Sequence, residues 1–249
     1  MRKFIERYML ILGSYSFAVP IVSLVHEFGH ILAYWSIGFT QFRLKINPFT
    51  TSAAEPLVPL PSEYMLYLAT AGMAFQLLFF TVSGITLNKT KSPLLAPIKM
   101  CLPLSMLNIG SYLLATGFEG GDSAIMVLNG VPPLLLNLLG VIGVALGLVS
   151  FTHHLTNLGF SSKEPLREVF TPLFLGIETY SMLMLGYAVL TGYDLMIGKA
   201  NVVTSVLLSG IIIALFKGMD LEAVSIPKRG IAFQVLGMGI IAVCLSLIF

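Results

Sequence analysis

Residues 25–35, VHEFGHILAYW, set two histidines and a glutamate inside a stretch otherwise suited to lipid. Ionisable side chains within a membrane span are expensive and usually functional, so this segment decides what the rest of the chain has to be. On both sides of it the residues stay apolar, from about 9 to 37. Of the 249 residues, 56% are hydrophobic and 10% charged, against roughly 25% charged in a soluble domain; the mean hydropathy is +0.90. Crossing about 30 Å of hydrocarbon takes about 20 mostly apolar residues. Seven runs qualify, at approximately 9–37, 64–87, 94–118, 131–152, 170–190, 201–216 and 230–249. The expected fold is all-α, a polytopic membrane helix bundle of about seven transmembrane helices forming one integral membrane domain over 1–249.

Between the runs the connections are short, with one exception. In the segment 38–63, GFTQFRLKINPFTTSAAEPLVPLPSE, the piece QFRLKI alternates polar and apolar residues as a short strand does, and three prolines follow in PLVPLP. A strand or re-entrant segment at the membrane face is expected after the first helix. That first helix lacks a small-residue cleavage site, so it is expected to stay in the mature protein. Cys101 and Cys244 both fall in apolar runs, which offers neither a disulfide framework nor a CxxC metal site. A net charge of +2 gives no electrostatic footprint for nucleic acid; the lipid bilayer is the expected surrounding.

HEFGH is an instance of H-E-x-x-H. On a helix it puts His26 and His30 one turn apart on one face, about 5–6 Å from each other, with Glu27 beside them. The spacing suits zinc, which takes neutral imidazole nitrogen at about 2.0–2.1 Å and, in catalytic sites, three protein ligands plus a water. Glu27 is then the general base. The bland alternative is a chance cluster of polar residues at a helix end. A third ligand has to come from elsewhere in the chain, where the acidic candidates are Glu119, Asp122, Glu178 and Asp194. Asp122 in GFEGGDSAIMV is the best placed, because Gly120 and Gly121 allow close backbone approach, although the same residues also read as an ordinary polar turn.

HEFGHILAYWSIGF resembles the zinc-binding helix of the site-2 protease family of intramembrane metalloproteases. LATAGMAFQLLFF is similar to that family's A-G-P-x-x-N segment, with Met73 in place of the proline and Gln76 where asparagine is usual. The GGD of 120–122 resembles the third core helix, N-x-x-P-x-x-x-L-D-G, except that the glycines precede Asp122, the proline is absent and Asn108 lies far upstream. The likeness covers about 20–126, implying a metalloprotease-like core within about 9–126 and additional helices over 131–249. It implies His26, His30 and Asp122 as Zn2+ ligands, Glu119 as the alternative third ligand, Glu27 as general base and a transmembrane protein as substrate. In the family a strand between the first two core helices pairs with the unwound substrate, which assigns Gln41, Phe42, Arg43 and Leu44 to substrate binding by edge addition.

With seven spans, the side of the N terminus carries Arg2, Lys3, Arg7, Lys89, Lys91, Lys99, Lys163, Arg167, Lys217, Lys228 and Arg229, and the other side Arg43, Lys45 and Lys199. That bias puts the N terminus in the cytoplasm and turns the HEFGH end of the first helix toward the exterior face. His153 and His154 read as interfacial anchors. Glu178, a lone carboxylate in a span, reads as facing an interior partner or a pathway, against the alternatives of a hydrogen-bonded structural role in the bundle or a place near the interface. The leading function is hydrolysis of peptide bonds in membrane-embedded substrates. Its rival is a non-proteolytic zinc-binding membrane protein, a metal transporter or partner-binding bundle, which has no use for a glutamate held off the metal. CAAX-processing metallopeptidases share the pentapeptide but use a glutamate as third ligand, for which Glu119 is the candidate.

Overall fold

In the computed structural model, which describes residues 2–47, 52–87, 89–90, 92–114, 121–192, 195–224 and 229–247, the chain is a helical bundle with one small hairpin. The helices are α1 (Arg2–Ser36), α2 (Met65–Leu87), α3 (Ala96–Leu114), α4 (Asp122–Leu128), α5 (Pro133–Asn157), α6 (Leu166–Thr191), α7 (Leu195–Gly218) and α8 (Arg229–Ser246). Among the described residues, each of the seven apolar runs falls largely on a long helix, and α4 is an addition. Its seven residues are too few to establish a helical period.

Among the described residues, four helices are long and apolar enough to cross a membrane: Lys3–Ser36, Ser62–Leu87, Pro133–Asn157 and Leu166–Thr191. That is fewer than the seven expected. The described apolar parts of α7 and α8, Val202–Gly218 and Gly230–Ser246, are shorter, and at 1.5 Å per residue each extends only about 25 Å. The nineteen residues of α3 include Lys99, Asn108 and Pro103, which dilute its hydropathy. The outer face of α5 exposes Leu134, Leu138, Val141, Ile142 and Leu146, each at 52% or more, an apolar surface of the kind that meets lipid.

α1 is the axis, touching α2, α3, α6 and α8. The neighbours of α1 run both ways. His26 meets Gln76 and His30 meets Leu68, so α2 runs against α1, whereas Lys3 meets Glu168 and Tyr15 meets Tyr180, so α6 runs with it. α3 crosses α5 closely, and a Cβ on Gly110 would lie 2.5 Å from the Val144 nitrogen; small residues at such crossings let backbones pack directly. A core of Leu10, Ile11, Met100, Phe151, Leu173 and Phe216, with others, fills the centre.

The strand expected within QFRLKI forms as β1 (Phe42–Lys45), and it pairs antiparallel with β2 (Ala53–Pro56), a partner the sequence did not announce. Phe42 and Leu44 are half-buried while Arg43 and Lys45 are exposed, as alternation requires. The hairpin is pinned to α1 and α2 by a cluster of Ile31, Ala33, Tyr34, Ala54 and Leu68, and a separate cluster of Met73, Ile109, Leu113 and Leu136 receives Met126 and Val127 of α4.

Candidate metal centre

The histidines of HEFGH point from α1 toward the start of α4. His26 Nε2 and His30 Nε2 are 3.1 Å apart, and Asp122 Oδ2 lies 2.9 Å from the first and 3.3 Å from the second. Three features bring these atoms together. The i, i+4 spacing aligns the imidazoles, whose centroids are 4.9 Å apart. Gly72 on α2 has no side chain where the rings lie: a Cβ there would collide with His30 Nε2 and sit 2.8 Å from His26 Nε2. Gly121 adopts φ +81°, a left-handed conformation open to glycine, immediately before Asp122 begins α4.

The outer nitrogens are committed. His30 Nδ1 bonds the Leu68 carbonyl at 2.8 Å, an acceptor only, so this nitrogen carries the proton. His26 Nδ1 bonds Gln76 Oε1 at 2.9 Å. The Gln76 amide orientation follows from its other contacts, since its nitrogen donates to Ser105 Oγ at 2.9 Å and to the Ser105 carbonyl at 3.3 Å. Both histidines, when neutral, therefore present Nε2 lone pairs to each other and to a carboxylate oxygen. Three acceptors at about 3 Å repel one another unless a cation lies between them. Tetrahedral zinc at about 2.0–2.2 Å sets its ligand atoms about 3.3–3.6 Å apart, a few tenths of an ångström wider than the separations here, so this donor set fits zinc after a small outward shift. Outer partners of this type fix the tautomer and the ring orientation of metal-binding histidines.

Among the described residues, His26, His30 and Asp122 are the one group of three whose ligand atoms are close enough to share a metal ion. They line a cavity of about 220 Å3 together with Glu27, Tyr34 and Ala54. Glu27 is buried, stands outside the ligand trio, and shares the cavity wall with Ala54. Gln41, Phe42, Arg43 and Leu44 do not line the cavity. They belong to or adjoin β1, the outer strand, and it is β2 that lies against α1. Glu119 and Asp194 lie outside the described residues. Glu178 is buried on α6, with Oε1 lacking a hydrogen-bond partner among the described residues, and is not part of the cavity wall. His153 is exposed and His154 buried near the opposite end of the bundle.

Neither Gly72 as the floor of the histidine pair nor the Leu68 carbonyl as a partner is signalled by any local pattern. Asn108, which lies too far upstream for the family pattern, nonetheless reaches the centre through Gln76, whose nitrogen is 3.4 Å from Asn108 Oδ1. Tyr34 carried a readable signal, because it follows His26 and His30 at the same four-residue interval. Compared with known families, with curated proteins and with solved structures, the chain matches none.

Proposed function

We propose that this protein is an integral membrane zinc metalloprotease, similar to the site-2 protease family, that cleaves membrane-embedded protein substrates. The observation that carries the reading is the convergence of two imidazole lone pairs and a carboxylate beside a buried glutamate that is not one of the three. Four helices able to cross a membrane and the opposed directions of α1 and α2 support a multi-pass bundle, and the number of apolar runs makes it one of about seven spans. With the lysine and arginine bias, the N terminus is cytoplasmic and the cavity opens toward the exterior face.

His26, His30 and Asp122 would hold the ion. Zinc bound there supplies Lewis acidity and lowers the pKa of water from 15.7 to about 7. Glu27 takes the proton of the attacking water as the C–O bond forms at the scissile carbonyl, then passes it to the amine as the C–N bond breaks. Gln76 and the Leu68 carbonyl hold the rings in register, and the hairpin offers backbone groups to an unwound substrate, whose peptide bonds are shielded while it remains helical. In this reading β2 meets the substrate and β1, with Gln41 to Leu44, supports it from behind.

Glu27→Gln separates metal binding from chemistry. The variant should keep zinc while hydrolysis of a single-span helical substrate in liposomes falls about 10²–10⁴-fold. Cleavage near the wild-type rate would sink the mechanism, and wild-type protein that cleaves no member of a broad substrate panel would favour a non-proteolytic zinc bundle.

A further inference from the structure

Ala54 is the one residue of β2 that turns a complete backbone donor and acceptor toward α1. In an antiparallel pair, residues that exchange both hydrogen bonds with the partner alternate with residues that point both groups away. The Leu57 amide donates to the Gln41 carbonyl at 3.0 Å, and the register sets Ala54 opposite Leu44; stepping by two from Gln41 makes Arg43 and Glu55 a bonded pair and leaves Ala54 facing outward. The other outward position in β2 is Pro56, which has no N–H. The carbonyl of Ala54 is already taken. It accepts from the Tyr34 hydroxyl at 2.9 Å.

An extended substrate adding to β2 needs the outward amide and carbonyl of Ala54, so its arrival displaces the Tyr34 hydroxyl from that carbonyl. Tyr34 stands one turn beyond His30 on the face that bears both histidines. It is 6% exposed and lines the same cavity, within electrostatic reach of Glu27 and Asp122. Once released, its buried hydroxyl has a proton to donate, and the acceptor that comes with the substrate is the scissile carbonyl. Resting on the protease reading, we infer that Tyr34 is a second catalytic group, held by the Ala54 carbonyl until the substrate strand replaces it. It then donates a hydrogen bond to the scissile carbonyl oxygen as negative charge builds there. No proton leaves Tyr34. The proton of the attacking water still travels to the amine through Glu27, one C–O bond forms and one C–N bond breaks.

Tyr34→Phe keeps the ring, which stacks on Phe42 with centroids 6.3 Å apart, and removes the donor. With zinc content unchanged, kcat should fall about 10²–10³-fold, the usual loss for one oxyanion donor, while KM stays level or drops. A second readout needs no metal. In the zinc-free protein, a non-cleavable extended peptide copied from a cleaved site should bind Tyr34→Phe about 2–10-fold more tightly than wild type, because the Ala54 carbonyl has lost its competitor. A tyrosine that merely anchors the hairpin gives the reverse: weaker peptide binding and a raised KM at constant kcat. That pattern, or loss of zinc from the Phe variant, overturns the role of Tyr34. Wild-type protein that cleaves nothing defeats the protease reading, whereas active wild type matched in rate by Tyr34→Phe defeats only this inference.

Discussion

The two ends of the bundle use similar polar residues in opposite ways. At the end holding the N terminus, charges meet their opposites. Arg7 pairs with Glu164 at 2.8 Å, donates to the Gly159 carbonyl and lies over the Phe160 ring at 4.5 Å. Lys3 reaches Glu164 at 2.6 Å, and Lys163 reaches Glu222 at 2.7 Å, tying the loops after α5 and α7 to the start of α1. At the hairpin end, His26, His30 and Asp122 bring acceptors to acceptors. The two histidine pairs sharpen the contrast. His26 and His30, four apart, share a helix face and a carboxylate, whereas His153 and His154, adjacent in sequence, diverge so that one is exposed and the other buried. His154 Nε2 has no hydrogen-bond partner among the described residues, and no carboxylate joins it to make a ligand trio. Complementary charges hold a fold together, while convergent lone pairs prepare a place for a cation.

The largest effect expected from breaking that contrast is at Asp122. Asp122→Ala leaves two neutral imidazoles without the carboxylate, and purified protein should no longer carry stoichiometric zinc by metal analysis. Full zinc in that variant, with loss in Glu119→Ala, would transfer the third ligand to Glu119.

A smaller effect is expected one contact further out. Gln76→Leu removes the acceptor of the His26 Nδ1 proton, and zinc affinity measured by chelator competition should drop about 10–100-fold, with the helical circular dichroism preserved. Unchanged affinity would show that packing alone orients His26.

The smallest belongs to the charged end. Burial tends to raise the Glu164 carboxyl, but hydrogen bonds from Arg7 and Lys3 outweigh it and hold the group below its ordinary value of 4.5. A carboxylate lowered by folding contributes stability that is complete above the unfolded value and is lost as pH falls through the folded one. Thermal unfolding should therefore lose this contribution only below about pH 4.5, and Glu164→Gln should flatten that part of the profile without altering zinc content near neutrality. A Glu164→Gln protein with the same acid dependence as wild type would remove the clasp from the acid response.

The seven apolar runs and the H-E-x-x-H spacing were legible in the sequence, because each depends on residues within a few turns of one another. Hydropathy fixes which segments leave water, and the helical period fixes that His26 and His30 share a face with Tyr34. Only the tertiary structure decided what those residues meet. Asp122 reaches His26 across 96 positions, Gln76 across 50 and the Leu68 carbonyl reaches His30 across 38, contacts with no local periodicity to betray them. Alternation in QFRLKI was enough to find β1, but strand pairing placed β2 against the cavity, since β2, short and carrying Pro56, has a weak pattern of its own. Gly72 shows the same limit: a missing side chain is silent in the sequence until another helix brings two imidazoles into the space it leaves.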